Sequence, residues 1–184
     1  VGLGSNRINR YTIRLAAWGM AQVLGAGKKV AIAYDTRLDS KNFAEEAAKV
    51  LAEAGLNVLI FDRYSPVPLL SYTVRELHCD GGIVITASHN TKAYNGFKTY
   101  EASGAQMGPN KTEEIFRWML KKADPLDVPH CDDLAQENIE WIGEDIAEKF
   151  TSAAVDCSKL NDSSAKKDLS IVYTPLFGSG RDFV

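Results

Sequence analysis

The feature that most constrains the fold is a repeated change of hydrophobic pattern between short apolar runs and longer segments with a helical stripe. Strand-length apolar runs occur at 29–34, 57–61 and 82–85, and a fourth strand is expected at 97–101. The stripe from Asn9 to about Leu24 precedes the first run, and its apolar residues recur at the spacing of a helix. Alternation of this kind is typical of an α/β domain with a largely parallel sheet.

Further stripes predict four more helices. They are one capped by Asp39 or Ser40 and ending at Gly55, one over 69–77, one that starts at Asn110, and one over 142–157. The proline-bearing, acidic segment 124–136 has little periodicity and is expected to be a loop. Residues 161–167 have the composition of a linker, and a new strand is expected at 169–173.

Composition narrows the class of protein. Of the 184 residues, 45% are hydrophobic, which is enough for a real core. The formal net charge of −3 argues against a broad nucleic-acid or anionic-membrane surface, and no apolar run approaches the roughly 18 residues that span a membrane. No signal peptide is visible, and three widely spaced cysteines fit reduced thiols in a cytoplasmic protein better than a metal site.

A polar segment directly follows the apolar run 82–85. It contains Ser88, His89 and Asn90 between the run and the glycine-bearing stretch 91–98. Ligands of α/β sheets bind at the carboxyl ends of strands, where this segment is expected to lie. The Ser88 hydroxyl can act as a nucleophile, and its neighbours can donate hydrogen bonds to an anion. The segment therefore predicts chemistry as well as a fold.

Four stretches, in order, resemble motifs of the α-D-phosphohexomutases, the phosphoglucomutase/phosphomannomutase superfamily. The segment 86–98 resembles their phosphoserine signature. Residues 2–9 are similar to their N-terminal phosphate-site loop, in the variant of the branch with phosphoglucomutase and phosphopentomutase activity. Residues 30–37 are similar to the family's first strand and its D-x-R turn. Residues 173–180 resemble the opening of domain II. One departure is Thr91, where family members commonly have proline.

The resemblance implies an architecture. It is a three-layer α/β/α domain with a mixed, mostly parallel sheet, the first domain of a four-domain enzyme. Residues 1–165 are expected to be domain I, and residues 166–184 the truncated start of domain II. Because the remaining domains hold the sugar-specificity loop and the distal phosphate site, the isolated chain is expected to be inactive.

The resemblance also implies a reaction. Ser88 matches the residue that carries a phosphoryl group, gives it to a sugar monophosphate and takes back the other phosphate of the bisphosphate. The net result moves phosphate between C1 and C6 of a hexose, or C1 and C5 of a pentose. Mg²⁺ is expected on the Ser88 phosphate and on an aspartate loop of domain II, with a sugar 1,6-bisphosphate as activator. The expected partners are a phosphosugar and the remaining domains, with no nucleic acid or membrane.

The same motifs supply the candidate site residues. By resemblance Ser88, His89 and Lys98 are the catalytic candidates. The phosphate-binding candidates are Arg7, Asn90, Ser5, Asn6 and Arg10. An arginine can grip an oxyanion in a fork, and a lysine offers a point charge. Arg10, one helical turn on from Arg7, would extend a positive face, and the first amides of the helix after Asn9 would add donors.

Simpler interpretations stay open for each residue. Ser88 and Asn90 can be loop hydrogen-bonding residues, His89 can support the loop, and Lys98 can be a charge that protects an edge strand. Arg7 and Arg10 can be a solvated helix start, and Asp35 with Arg37 can form an Asx-type turn with a surface charge. Two other functions also remain: a catalytically silent homologue that regulates or binds a sugar bisphosphate, and a small-anion binding module.

Overall fold

The computed structural model describes residues 1–122, 124–158 and 170–183. Its strands are β1 (Gly2–Leu3), β2 (Lys29–Tyr34), β3 (Asn57–Phe61), β4 (Gly81–Ile85), β5 (Tyr94–Asn95), β6 (Phe97–Glu101) and β7 (Ile139–Ile142). Its helices are α1 (Arg10–Leu24), α2 (Ser40–Glu53), α3 (Val67–Glu76), α4 (Pro109–Lys121) and α5 (Glu144–Asp156), with short 3₁₀ turns at Pro125–Asp127 and Arg181–Phe183. The four strands predicted at 29–34, 57–61, 82–85 and 97–101 are confirmed.

The central sheet has five strands in the order β6-β4-β2-β3-β7. The neighbouring pairs β4–β2, β2–β3 and β3–β7 are parallel, whereas β6 runs antiparallel to β4 at one edge. Strand β2 shows why the strands read as continuous apolar runs. Val30, Ile32 and Tyr34 pack into the core on one face, whereas Ala31 and Ala33 pack into the core on the other. Both faces of the strand are buried, so no polar alternation remains.

Helices cover both faces of the sheet. Ile13 of α1, Leu51 of α2 and Ile115 of α4 share one core, and Leu70 of α3 and Ile146 of α5 share the other. The domain is therefore the predicted three-layer α/β/α fold with a mixed, mostly parallel sheet. At 15 residues, α1 is the longest helix in the described part of the chain. No described helix is both long and apolar enough to cross a membrane.

The helix predicted over 142–157 is wrong at its start. Ile142 is the last residue of β7, and α5 begins at Glu144 after Gly143. Strand β7 is an edge strand whose middle residues, Glu140 and Trp141, are exposed, so it lacks the apolar run of a buried strand. Ile142 and Ile146 are four residues apart, which imitates a helical stripe across two elements.

Two predicted helix caps are also wrong. Asp39 occupies the position before α2 but makes no side-chain cap, and the Ser40 hydroxyl donates to Asp35 at 2.7 Å. Helix α4 begins at Pro109 after Gly108, so Asn110 lies inside it. Proline fits the first helical turn because its missing N–H would have no partner there. Helix α3 likewise begins two residues before the predicted start at 69.

The strand predicted at 169–173 is not formed by its described residues, 170–173. Residue 169 and the linker predicted at 161–167 lie outside the described residues. An apolar run forms a strand only where a neighbouring strand accepts its ladder of hydrogen bonds. The division into residues 1–165 and 166–184 stays a prediction.

The connections after β2 and β4 diverge at the carboxyl edge of the sheet. From β2 the chain continues through α2 to β3 on one side, whereas from β4 it continues to β6 on the other. Because these strands are parallel neighbours, their following loops open a crevice between them. This crevice holds the segment that the sequence singles out.

Candidate active site

The serine loop, residues 86–96, joins β4 to β6 and includes the short strand β5. Ser88 is exposed in it with φ +57°, a left-handed conformation that residues other than glycine rarely adopt. Its Oγ lies 3.4 Å from Nδ1 of the exposed His89. The loop therefore presents the hydroxyl to solvent on a backbone conformation that the surroundings must hold.

Thr86 connects the backbone of Ser88 to the next strand. The buried Thr86 hydroxyl donates to Oδ2 of Asp35 at 2.6 Å and accepts the Ser88 N–H at 3.0 Å. Asp35 directly follows β2. A chain of two hydrogen bonds thus runs from the carboxylate after β2 to the amide of the candidate nucleophile.

Arg37 completes the same network. Its backbone N–H donates to Oδ1 of Asp35 at 3.0 Å, so the predicted Asx-type turn is confirmed. The predicted surface charge is wrong, because the side chain is only 12% exposed and lies against the serine loop. Its Nε donates to Oδ2 of Asp35 at 3.1 Å. Its terminal nitrogens donate to four carbonyl oxygens of the loop, those of Ser88, Asn90, Thr91 and Tyr94.

The far end of the loop is held by Asn95. This buried amide donates to the Ser40 hydroxyl at 2.9 Å and to the carbonyl of Leu38 at 3.3 Å, and its oxygen accepts the Gly96 N–H at 2.8 Å. Gly96 is required by close approach, since a Cβ there would lie 2.8 Å from the carbonyl oxygen of Thr86. The two ends of the serine loop are thus fixed against each other and against the start of α2.

A cavity of about 790 Å³ opens beside Ser88. Ser88 and Asn90 line it together with Lys92, a loop cation that the sequence analysis did not single out. The far wall includes residues 177–179 of the C-terminal segment, where the carbonyl of Phe177 accepts a hydrogen bond from the Thr36 hydroxyl. The volume is that of a site for a small molecule.

The N-terminal loop, residues 4–9, lies beside the serine loop. Strand β1 pairs with β5, and the N–H of Gly4 donates to the carbonyl of Ala93 at 2.8 Å. The predicted phosphate-binding residues Ser5, Asn6 and Arg7 are all exposed on this loop. The structure therefore brings the two candidate phosphate loops next to each other.

The positive helical face predicted for Arg7 and Arg10 is wrong. Arg7 precedes α1, which begins at Arg10, so the two are not one turn apart on a helix. The first amides of α1 are also occupied, because the Asn9 side chain accepts the N–H groups of Tyr11 and Thr12. A capping residue satisfies the amides that an anion would otherwise bind.

The predicted residues do not all line one cavity. Arg7 lines a separate, mostly apolar cavity of about 340 Å³ beside Phe97. Ser5 and Arg10 line a third cavity, between α1 and α2. Lys98 is half-buried on β6, opposite Val84 of β4, and so lies at the same end of the sheet as Ser88.

The donors around Ser88 do not by themselves form a magnesium site. The nearest carboxylate in the network, Asp35, already accepts four hydrogen bonds from Thr86, Ser40 and Arg37. Across residues 1–122, 124–158 and 170–183, no group of three or more histidine, cysteine or acidic side chains could hold a metal ion. The Ser88 oxygen is thus a candidate metal ligand, but the described residues do not place beside it the further oxygen ligands that a magnesium ion requires.

The sequence singles out Ser88 but not all of the side chains that hold it. The sequence does not predict that the Thr86 hydroxyl holds the Ser88 amide, and it assigns Arg37 only to a turn, although its side chain also fixes the loop. The available signal was the D-x-R sequence directly after a buried strand, since the loops of adjacent parallel strands share one edge of a sheet.

Comparison with known proteins identifies the family. The family model of the phosphoglucomutase/phosphomannomutase α/β/α domain I matches residues 2–125. A phosphoglucomutase of Staphylococcus haemolyticus is 38% identical over 183 residues, which cover 97% of this chain and 33% of that protein. A phosphoglucomutase of Staphylococcus saprophyticus is 36% identical and is covered over 34% of its length. The chain thus spans about a third of the length of these relatives.

Solved structures agree on the fold. A candidate phosphomannomutase from Thermus thermophilus has a TM-score of 0.72 at 26% identity, over 84% of this chain and 33% of that one. A phosphoglucomutase/phosphomannomutase family protein from Burkholderia thailandensis has a TM-score of 0.67 at 22% identity, over 88% of this chain and 35% of that one. The domain match, the identities and the shared fold together show that this chain belongs to the phosphoglucomutase/phosphomannomutase family, with residues 2–125 matching its domain I.

Proposed function

We propose that this chain is the catalytic-serine domain of a phosphosugar mutase, with Ser88 as the phosphoryl carrier. One observation carries the proposal. In a chain of this family, Ser88 presents an exposed hydroxyl from a left-handed backbone position, at the crevice between β2 and β4 and beside a cavity of about 790 Å³. A nucleophile at that edge of an α/β sheet is positioned for a ligand.

The proposed reaction has two matched halves. Phosphorylated Ser88 gives its phosphoryl group to a hydroxyl of a sugar monophosphate, so that the bond from phosphorus to Oγ breaks and one to the sugar oxygen forms. The sugar hydroxyl loses its proton to a base, for which Lys98 is our candidate, and the departing Ser88 Oγ gains a proton. After the bisphosphate reorients, Ser88 Oγ loses its proton as it takes the other phosphoryl group, and the departing sugar oxygen gains one.

The negative charge of a phosphate on Ser88 determines which residues can contact it. A phosphoserine carries close to two negative charges, and the Arg37 guanidinium is already bound to carbonyls and Asp35. We therefore assign phosphate contacts to other cations: Arg7, Arg10 and Lys92. We assign further hydrogen bonds to the phosphate to His89, Asn90, Ser5 and Asn6. The position of the N-terminal loop beside the serine loop supports this assignment for Ser5, Asn6 and Arg7.

A magnesium ion would, when bound, neutralise charge that develops on the transferring phosphoryl group. From this chain the phosphate on Ser88 would be its ligand, and we propose that the remaining ligands lie in domain II. We also propose a sugar 1,6-bisphosphate as the activator that restores the phosphate on Ser88. The sugar itself, a hexose or a pentose phosphate, is left open.

Three further proposals follow from the same assignment. The whole enzyme is a cytoplasmic intramolecular phosphotransferase. Residues 166–184 begin domain II. The isolated 184-residue chain has no mutase turnover, because the distal phosphate site and the metal loop belong to the other domains. Robust turnover by the isolated chain would contradict this last proposal.

The test is the mass of the longer protein that carries this chain, measured before and after incubation with a sugar 1,6-bisphosphate. We expect one added phosphoryl group, located on Ser88 and lost in Ser88→Ala. Ser103→Ala is the matched control, because Ser103 is an exposed serine in the turn after β6. A protein that takes no phosphate would support the small-anion module. Phosphate on Ser88 without turnover of sugar phosphate would support the silent homologue.

A further inference from the structure

All five N–H donors of one guanidinium are used in the serine-loop network. Nε of Arg37 donates to Asp35, Nη1 to the carbonyls of Thr91 and Tyr94, and Nη2 to those of Ser88 and Asn90. The four carbonyl contacts measure 2.5–3.1 Å. A guanidinium has five donors in a rigid plane, so this one is fully occupied.

These contacts close the loop on itself. The four carbonyls belong to residues 88–94, so one rigid group fixes most of the exposed part of the serine loop. The left-handed conformation of Ser88 persists only where its surroundings over-determine it. Arg37 holds the carbonyl of Ser88, and Thr86 holds its amide. Both sides of the strained residue are therefore anchored to the segment after β2.

The charge of Arg37 is already balanced. Asp35 accepts from both its Nε and its backbone N–H, and the side chains of this pair are 12% and 16% exposed. A guanidinium without a free donor cannot grip a phosphate in a fork. Its contribution is therefore to the geometry of the nucleophile and not to contact with the substrate.

We propose that Arg37 is the positioning residue for Ser88, holding the serine loop in the conformation that phosphoryl transfer requires. The loop-ordering part stands on the contacts alone. The effect on transfer rests on the proposed function of Ser88. Misplacement of a reacting group by about 1 Å can cost on the order of a hundredfold in rate, which is the scale of effect expected.

Amide hydrogen exchange on this chain tests the first part. Arg37→Ala is expected to speed exchange in peptides covering 86–96 by about tenfold or more, with Arg37→Lys intermediate because an ammonium has only three donors. Low millimolar guanidinium should restore protection to Arg37→Ala. Arg14→Lys is the matched control, since Arg14 pairs with Glu46 and is 13% exposed, away from the loop. Unchanged exchange in 86–96, or an equal increase throughout the sheet, would overturn the proposal.

Kinetics of the longer protein test the second part. Arg37→Lys is expected to lower kcat by at least about tenfold with KM within about twofold, and Arg14→Lys to change neither. A raised KM with unchanged kcat would mean that Arg37 contacts substrate, which would overturn the positioning role. If Ser88→Ala keeps its phosphate and turnover, the proposed function fails instead, while the exchange result still decides whether Arg37 orders the loop.

Discussion

The serine loop and the N-terminal loop lie side by side through the β1–β5 pair but are held by different kinds of contact. The serine loop is fixed by side chains from another strand's loop, chiefly Asp35 and Arg37, some fifty residues away in sequence. The N-terminal loop is fixed largely from within, because Asn9 caps α1 and its amide donates to the carbonyl of Ser5.

The difference shows which of the two loops has its geometry fixed by contacts from elsewhere in the fold. The role proposed for Ser88 requires a fixed geometry, and contacts from the segment after β2 supply it to the serine loop. The anion contacts proposed for the N-terminal loop tolerate more freedom, for which local capping is sufficient. We therefore expect disturbance of the segment after β2 to affect the serine loop first, and disturbance of the helix cap to affect the N-terminal loop first.

The largest effect is expected from Asp35→Ala. Removal of this carboxylate leaves Thr86, Ser40 and Arg37 without their acceptor in a half-buried network, which should lower the free energy of unfolding by about 3 kcal/mol. Urea unfolding measures the loss. The matched control is Asp62→Ala, since Asp62 follows the adjacent strand β3 but its side chain is 46% exposed and hydrogen-bonds to Arg63 alone among the described residues. Its loss should stay below about 1 kcal/mol. Equal losses in the two variants would contradict the special role of Asp35.

A smaller loss is expected from Gly96→Ala. The new Cβ would lie 2.8 Å from the backbone oxygen of Thr86 and 2.9 Å from the side chain of Val1, which overpacks the base of the serine loop by about 2 kcal/mol. Gly4→Ala, in the N-terminal loop, meets only the carbonyl of Ala93 at 3.4 Å and should cost less than about 0.5 kcal/mol. Thermal unfolding compares the two, and a costlier Gly4→Ala would reverse the comparison.

Asn9→Ala isolates the N-terminal loop. Loss of the α1 cap should cost about 1 kcal/mol and raise amide exchange in residues 4–12, while exchange in 86–90 stays unchanged. Asn110→Ala serves as the control, because Asn110 lies inside α4 and caps nothing there. If Asn9→Ala loosens the serine loop as much as its own loop, the two loops are not held independently.

The smallest effect concerns alkaline pH. Burial, followed by the charges of Asp62 and Glu45, raises the pKa of Tyr34 from 10.0 to about 12. The folded state holds this proton more tightly than the unfolded chain, so the contribution is complete below pH 10 and is lost as pH rises toward 12. By pH 10.5 the loss should be about 1 kcal/mol. Tyr34→Phe should remove that part of the slope and leave the part due to Cys79, whose pKa burial raises to about 11. Identical slopes in the two proteins would contradict the shift.

The sequence predicted the elements whose signals are local. Buried strands such as β2 and β4 appear as unbroken apolar runs, and Ser88 follows one of them directly. The edge strand β7 was missed because exposure of Glu140 and Trp141 removes that run. The role of Arg37 was missed for a different reason. Its acceptors are carbonyls, which every residue has, so no side-chain pattern in the sequence records the contact.

The most direct test is the single-turnover rate of phosphoryl transfer from phosphorylated Ser88 to a sugar monophosphate, in the longer protein with Thr86→Val. This isosteric change removes the hydroxyl that links Asp35 to the Ser88 amide. Thr73→Val is the control, because the equally buried Thr73 hydroxyl donates only within α3. We predict that transfer is slower by about tenfold or more in Thr86→Val and that its rate is unchanged in Thr73→Val. An unaltered rate in Thr86→Val would contradict the proposal that the segment after β2 sets the geometry of Ser88.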